Sequence, residues 1–548
     1  MVRPSGQSFT WFMAFVVATL VLVAPLVVVD LAPLLDYPNH LARMRILASG
    51  DDDPVLAHFW SPAWGLLPNL ATDLVIPPLS HLLPLYVAGR VTLAAILILQ
   101  LLGVVVYHRA AFGSWSWWAL GGALVACNAA FLLGFMNFTA GLGPALLVAA
   151  LWIAQREKRP ALAVIGATLG LMALFFFHLF AVLFCAVLIC AQEASALLTD
   201  RQRGRPILHA VFRRGATLTV VLLPTVALYA ASAFSETGGD RCWVTPTRKA
   251  MNLLAPFMNY YAALDLLTAL AVLSVLVLGL VVGRGRIHRG TALASAVLFA
   301  LYLVAPFEAK GGAFIDTRFP IMLGLLLFAG FQPVVPASIA PAVTLALAAL
   351  FVLRTGVVAQ VWAGHAQDLA QVRASIAPIE PGDRVLVVSA ESQATPEYWR
   401  HAPRSRVVAR FMTVNSHLGA LVTLERRAFM PLLFAARSQQ PLRVLPPYDR
   451  VAAVASAPPD YRLLAQKAWP DDELKRAPYL PVWQDEFDYV LVLLADAAPD
   501  LASFLPERLE AVNATGAAAL FRVRPSIAKV AADQPVSLPR QLRPCGFS

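Results

Sequence analysis

"TWFMAFVVATLVLVAPLVVVDLAPLLDYPNHLARMRIL", residues 10–47, changes character part-way along. From Trp11 to Leu31 it is an apolar run, interrupted by a charge only at Asp30 near its end, long enough to cross a bilayer. Then Asp36, Asn39, His40 and Arg43 arrive together, where the chain leaves the hydrocarbon. If residues 36–47 are helical, Asp36, His40 and Arg43 fall at i, i+4 and i+7 on one face, with Pro38 in the first turn and Asp36 as N-cap. Such a cluster is either interfacial solvation and capping, or an active site. The apolar run follows Arg3 and has no small-x-small cleavage signal. It reads as a retained first helix that doubles as signal anchor.

The rest of the chain repeats the pattern. Of its 548 residues, 59% are hydrophobic and 14% charged, which places it in the membrane class. Eleven candidate spans follow, at 10–33, 91–107, 116–134, 138–155, 161–177, 179–198, 215–233, 261–282, 290–306, 319–333 and 338–355. The block 161–198 is almost unbroken but too long for one crossing, so it is divided in two. Short loops at 155–160 (QREKRP), 199–214 (TDRQRGRPILHAVFRR) and 283–290 (GRGRIHRG) concentrate arginine and lysine on one side, so the N-terminus is expected in the cytoplasm. This also accounts for the net charge of +10, and there is no basic stripe interleaved with aromatics, so no nucleic-acid partner is expected.

After about residue 366 the pattern shifts. "PGDRVLVVSA" (381–390), "FDYVLVLLAD" (487–496) and "AALFRVRP" (518–525) read as buried strands. The expected architecture is an α-helical polytopic membrane protein with about eleven transmembrane helices, at 1–360, and a soluble extracytoplasmic α/β domain at 361–548. A long first outer loop, 34–90, carries broken interfacial helices around Trp60, Trp64, Pro62, Pro68, Pro77 and Pro78, with Asp73 and His81 as its polar residues. Three cysteines, Cys127, Cys185 and Cys190, lie in apolar runs. Cys242 and Cys545 both face outside, no CxxC pair occurs, and no structural zinc site is expected.

Two further outer segments hold charge. "APFEAKGGAFIDTRFPIM" (305–322) packs Glu308, Lys310, Asp316 and Arg318 around Gly311 and Gly312. A guanidinium at the start of the tenth span suits a bidentate clamp on a phosphate at headgroup depth. "SETGGDRCWVTPTRKAMN" (235–252) carries Asp240, Arg241, Arg248 and Lys249. His178 in "FFFHLFAV" and Asn137 in "LLGFMNFTAGL" sit at outer span edges. His417, Glu425, Arg426 and Arg427 lie in a distinctive tail segment, 415–442, but show no catalytic spacing.

The layout resembles the GT-C superfamily of integral membrane glycosyltransferases. The resemblance rests on the acid at the outer end of the first span in "LLDYPNHLAR", the long first outer loop, some ten further spans, an outer soluble domain and, more faintly, "DTRFP". It implies a GT-C-like fold in the bacterial inner (plasma) membrane. It also implies transfer of a sugar from a polyprenyl-phosphate donor to an extracytoplasmic glycan, lipid or protein acceptor. Asp36 would be the base and Lys310 or Arg318 would hold the lipid phosphate; on physical grounds His40 is expected to orient either Asp36 or the acceptor. Arg43, Glu308, Asp316 and His178 complete the expected substrate-binding set. Where many members carry an acidic pair or DxD-like motif, this chain has Asn39 and His40. The one cofactor the resemblance leaves open is a divalent metal, Mg or Mn. Rival readings are a non-enzymatic scaffold and a polysaccharide or lipid transporter. Reporter fusions after residues 205 and 287 should read as cytoplasmic, and one after residue 400 as outside.

Overall fold

The computed structural model describes residues 6–204, 207–239, 241–282, 285–409, 412–454, 456–504 and 508–524. Asp240 and Cys545 lie outside them. Eight helices are long and apolar enough to cross a membrane: Phe9–Val27, Leu85–Phe112, Met136–Gln155, Pro160–Phe177, Leu179–Gln202, Ile207–Ala231, Ala262–Val281 and Ala340–Ile376. The remaining three expected spans are shorter. Arg289–Val304 and Ile315–Ala329 are single helices. The third is broken into one-turn pieces at Trp117–Leu120, Ala123–Ala126 and Ala129–Leu132. Gly121 and Gly122 interrupt the first pair, and the Asn128 side chain accepts from Phe131 N (3.1 Å) to start the last piece. The block 161–198 divides at His178, whose extended backbone ends one helix while its Nδ1 accepts from Phe180 N (3.0 Å) to cap the next.

One close helix crossing uses glycine on both sides. The Leu85–Phe112 and Met136–Gln155 helices meet at Gly103 and Gly143. A Cβ on Gly103 would stand 2.6 Å from Gly143 O, and one on Gly143 would run into the Leu99 carbonyl. Small residues at such a contact let two backbones approach and maximise dispersion contact where no hydrophobic driving force exists.

Outside the bundle, the first loop and the C-terminal region are interlocked. Trp60–Pro62 forms an antiparallel ladder with Leu442–Val444. Trp60, expected at the interface with Trp64, is instead buried against Phe59 and Phe429, while Trp64 stays exposed. Arg427 reaches Asp53 at 2.6 Å and Arg45 donates to Leu424 O at 3.0 Å, so charges of the tail are matched by the first loop. The C-terminal sheet has four strands in the order Val385–Ser389, Tyr489–Leu493, Ala518–Val523, Leu509–Ala514. The first pair is parallel and the others antiparallel. The three expected strands are all present, and the exposed edge strand Leu509–Ala514, with little apolar patterning, is the addition.

The Ala340–Ile376 helix runs unbroken across the expected boundary at 360/361. Its 37 residues span about 55 Å, far more than a bilayer core. The surplus turns hold the C-terminal region: Ser375 Oγ donates to Ala518 O of the sheet (3.1 Å), and Asp368 takes a bidentate pair from Arg406 in the Arg404–Arg406 turn (2.7 Å each). Gly143→Ala should lower thermal stability in detergent by overpacking the crossing, by about 1–3 kcal/mol, whereas Gly356→Ala, in open space, should be near neutral in a thermal unfolding assay.

Candidate functional site

Asp36 is placed by backbone, not by its own side chain. Leu35 N and Asp36 N donate to Leu132 O (3.0 Å) and Leu133 O (3.2 Å), stitching the chain to the end of the broken third span. The approach is so close that a Cβ on Gly134 would stand 2.7 Å from Asp36 N; Gly134 also has φ +78°, which favours glycine. Asp36 then occupies the N-cap position of the Tyr37–Ser49 helix, with Pro38 in the first turn, but its carboxylate makes no capping hydrogen bond. The capping explanation therefore does not account for this side chain. Burial pushes the Asp36 carboxyl up to about 7, against the pull of Arg318 and Arg43.

Arg318 stands on the first turn of Ile315–Ala329. Its guanidinium is boxed by three rings, Phe180 (5.0 Å), Phe135 (5.2 Å) and Phe138 (5.7 Å). Among the described residues it has no hydrogen-bond or ion-pair partner, and its Nε is buried and unsatisfied. It lies within electrostatic reach of both Asp36 and Asp316. His178 also senses Arg318 and packs edge-on to Phe138 at 5.5 Å. Asp36, Arg318 and His178 thus come from far apart in the chain to one end of the bundle.

Four other expected residues have different company. Arg43 turns onto Asp73 in a buried bidentate pair (Nε–Oδ1 2.7 Å, Nη2–Oδ2 3.0 Å), because a guanidinium at full burial requires a carboxylate opposite it. Lys310 sits in a tight turn at φ +52° and spends its ammonium on Ser235 O (3.0 Å) and Tyr229 Oη (3.3 Å). Glu308 is exposed and pairs by its backbone with Cys242. Asp316 is buried, accepts from Asn252 Nδ2 (3.1 Å), and has Lys249 nearby. In the third charged segment, Lys249 donates to Ala305 O (2.7 Å) and Arg248 lies over Phe307.

The residues that sequence reasoning missed come from the tail. His417 Nε2 lies 3.4 Å from Asp36 Oδ1. Asn39, read as a departure from an acidic pair, is a buried hub: its Oδ1 accepts from Phe434 N (2.7 Å), and its Nδ2 donates to Leu432 O (3.1 Å) and meets His417 Nδ1 (3.3 Å). His40 makes no contact of this kind. Its Nδ1 is unsatisfied, and its ring packs against Phe434, which also packs against His417, each at 5.1 Å. Burial lowers His40 well below the usual histidine range, helped by Arg43 and His417, and burial pushes His417 down to about 4. No local signal marks His417, since its partners lie 378 positions earlier.

A divalent ion does not fit this donor set. Among the described residues no three His, Cys, Asp or Glu side chains are grouped to hold a metal, and the one carboxylate faces two guanidinium groups.

No protein-family profile matches the sequence, and no curated protein matches it. Solved structures do. The apo structure of ArnT from Cupriavidus metallidurans superposes with a TM-score of 0.53 at 13% identity, over 94% of this chain and 98% of that one. The chain shares the fold of ArnT. A second structure of ArnT, bound to undecaprenyl phosphate, matches at a TM-score of 0.49 and 13% identity over 96% and 99% of the two chains. The polytopic helical domain with its C-terminal sheet-bearing region is therefore a known architecture, and this chain is a multi-pass membrane protein.

The Arg43–Asp73 pair holds the first-loop helices together beneath Asp36. Asp73→Ala leaves a buried guanidinium uncompensated and should cost about 3–5 kcal/mol of stability, read as a fall in melting temperature in detergent.

Proposed function

We propose that this protein transfers a sugar from a polyprenyl-phosphate donor to a hydroxyl-bearing glycan, lipid or protein acceptor at the outer face of the bacterial inner membrane. The observation that carries the reading is Arg318, a guanidinium boxed by aromatic rings and left without a protein partner among the described residues, within reach of a half-buried carboxylate that does not cap its helix. A charged donor buried without a partner is costly. A phosphate on a bilayer lipid meets that need at headgroup depth, and the rings Phe135, Phe138 and Phe180 supply an apolar wall beside it.

Asp36 removes the proton of the acceptor hydroxyl as its oxygen attacks the anomeric carbon. The bond from that carbon to the phosphate oxygen breaks, and Arg318 stabilises the negative charge on the departing polyprenyl phosphate. A carboxyl near 7 is matched to this work: about half of it is ionised at neutral pH, and it is basic enough to accept a proton. His178, beside Arg318, borders the phosphate end of the site.

The orientation with the site outside is supported by the three arginine-rich loops. A transport pathway is not favoured. The charges within the bundle are consumed in structural pairs, Glu193 with Arg214 (2.6 Å) and Arg156 (3.2 Å), and Asp265 with Arg354 (2.9 Å).

With labelled lipid donor and purified protein, Asp36→Asn should reduce transfer by roughly a hundredfold or more. Arg318→Ala should chiefly raise KM for the donor, because it removes a contact made in the ground state as well. Full activity in Asp36→Asn would remove the base from this scheme. The rate should also fall on acidification. The active form is the ionised carboxylate, so kcat/KM drops about tenfold per pH unit below 7, to roughly a hundredth by pH 5.

A further inference from the structure

Asn39 settles a question that distance alone leaves open: which nitrogen of His417 carries the proton. The Asn39 side chain is fixed in one orientation by two backbone groups of the tail. Its oxygen accepts from Phe434 N at 2.7 Å, and its nitrogen donates to Leu432 O at 3.1 Å. The reverse orientation would set NH2 against N–H and oxygen against carbonyl. The second hydrogen of Nδ2 faces His417 Nδ1 at 3.3 Å. An amide nitrogen only donates, so Nδ1 is the acceptor and the imidazole proton resides on Nε2. That nitrogen faces Asp36 Oδ1 at 3.4 Å, slightly beyond hydrogen-bond length.

We infer that His417, held as its neutral Nε2–H tautomer by Asn39, is the positioning residue for the Asp36 carboxylate, so that the C-terminal region completes the active site. This rests on the reading of Asp36 as the base. The Nε2–H aims the carboxylate and favours its ionised form, as a donor to an anion must. His417 does not relay the proton. Protonating it would place a second N–H at Nδ1, against the NH2 of Asn39, and its low basicity agrees with that. The charged and titratable groups facing the pair are Arg318 and Arg43 toward Asp36, and His40 toward His417.

Three substitutions separate positioning from packing. His417→Gln keeps a donor where Nε2 stands. His417→Asn keeps only an acceptor where Nδ1 stands. His417→Ala keeps neither. In the full-length protein in detergent, the acid limb of the kcat/KM profile should move up by about one pH unit in H417A and H417N, with activity at pH 6 down about tenfold, and H417Q should recover most of both. Equal behaviour of H417Q and H417N, or an unmoved limb in H417A, would reduce His417 to packing. The tautomer is read independently of activity, by 15N NMR of histidine-labelled protein with the H417Q spectrum subtracted. Expected is a protonated Nε2 and a bare Nδ1, unchanged from pH 8 to pH 5. A protonated Nδ1, or an imidazolium at pH 6, would overturn the inference. If the unmutated protein transfers no sugar from any lipid donor, the base assignment for Asp36 fails while the NMR result still decides the tautomer.

Discussion

A buried polar group must find its partners, and the Asn39 amide finds all of its partners in a segment nearly four hundred residues away. That requirement couples the first loop to the tail more specifically than apolar contact does. Three hydrogen bonds with defined donors and acceptors admit one relative placement of the two segments. The Trp60–Pro62 ladder with Leu442–Val444 and the Arg427–Asp53 pair then hold that placement from the flank. The consequence is that Asp36 is enclosed between His417 on the tail side and Gly134 on the bundle side. Its raised pKa follows from this enclosure.

The guanidinium groups near Asp36 show how burial sorts charges by role. Arg43 and Arg318 both bear on the same carboxylate. Arg43 is matched by Asp73 in bidentate geometry, which neutralises it and makes it part of the scaffold. Arg318 is surrounded by ring faces, which solvate a cation weakly and leave its hydrogen-bonding capacity unspent. A lysine would be held less well this way, because a compact ammonium is more strongly hydrated and has no planar face to stack.

The long Ala340–Ile376 helix gives the site its rigidity. One end lies within the membrane bundle and the other carries the sheet through Ser375 and Gln371, with Asp368 holding Arg406 beside it. A tail hinged at the membrane surface would leave the 3.4 Å approach of His417 to Asp36 to chance. A continuous helix passes the positions of the bundle directly to the sheet.

Much of this was written in local pattern. Apolar runs of bilayer length, arginine-rich loops on one side and three Val/Leu-rich strand segments are properties of contiguous sequence, and they determined the membrane helices and the C-terminal sheet. Asp36 and Arg318 were legible too, since an ionisable residue at the end of an apolar run stands out against its neighbours. What only tertiary structure decided was which charges remain unspent. Arg43 and Lys310 look as available as Arg318 in sequence, but Asp73, Ser235 and Tyr229 consume them. Nor does any local feature distinguish His417 from His40, and the sequence places His40 nearer to Asp36. The choice between them depends on hydrogen-bond complementarity between segments that meet only when the chain is folded. Pairing of that kind has no period and no motif, so it is settled in three dimensions.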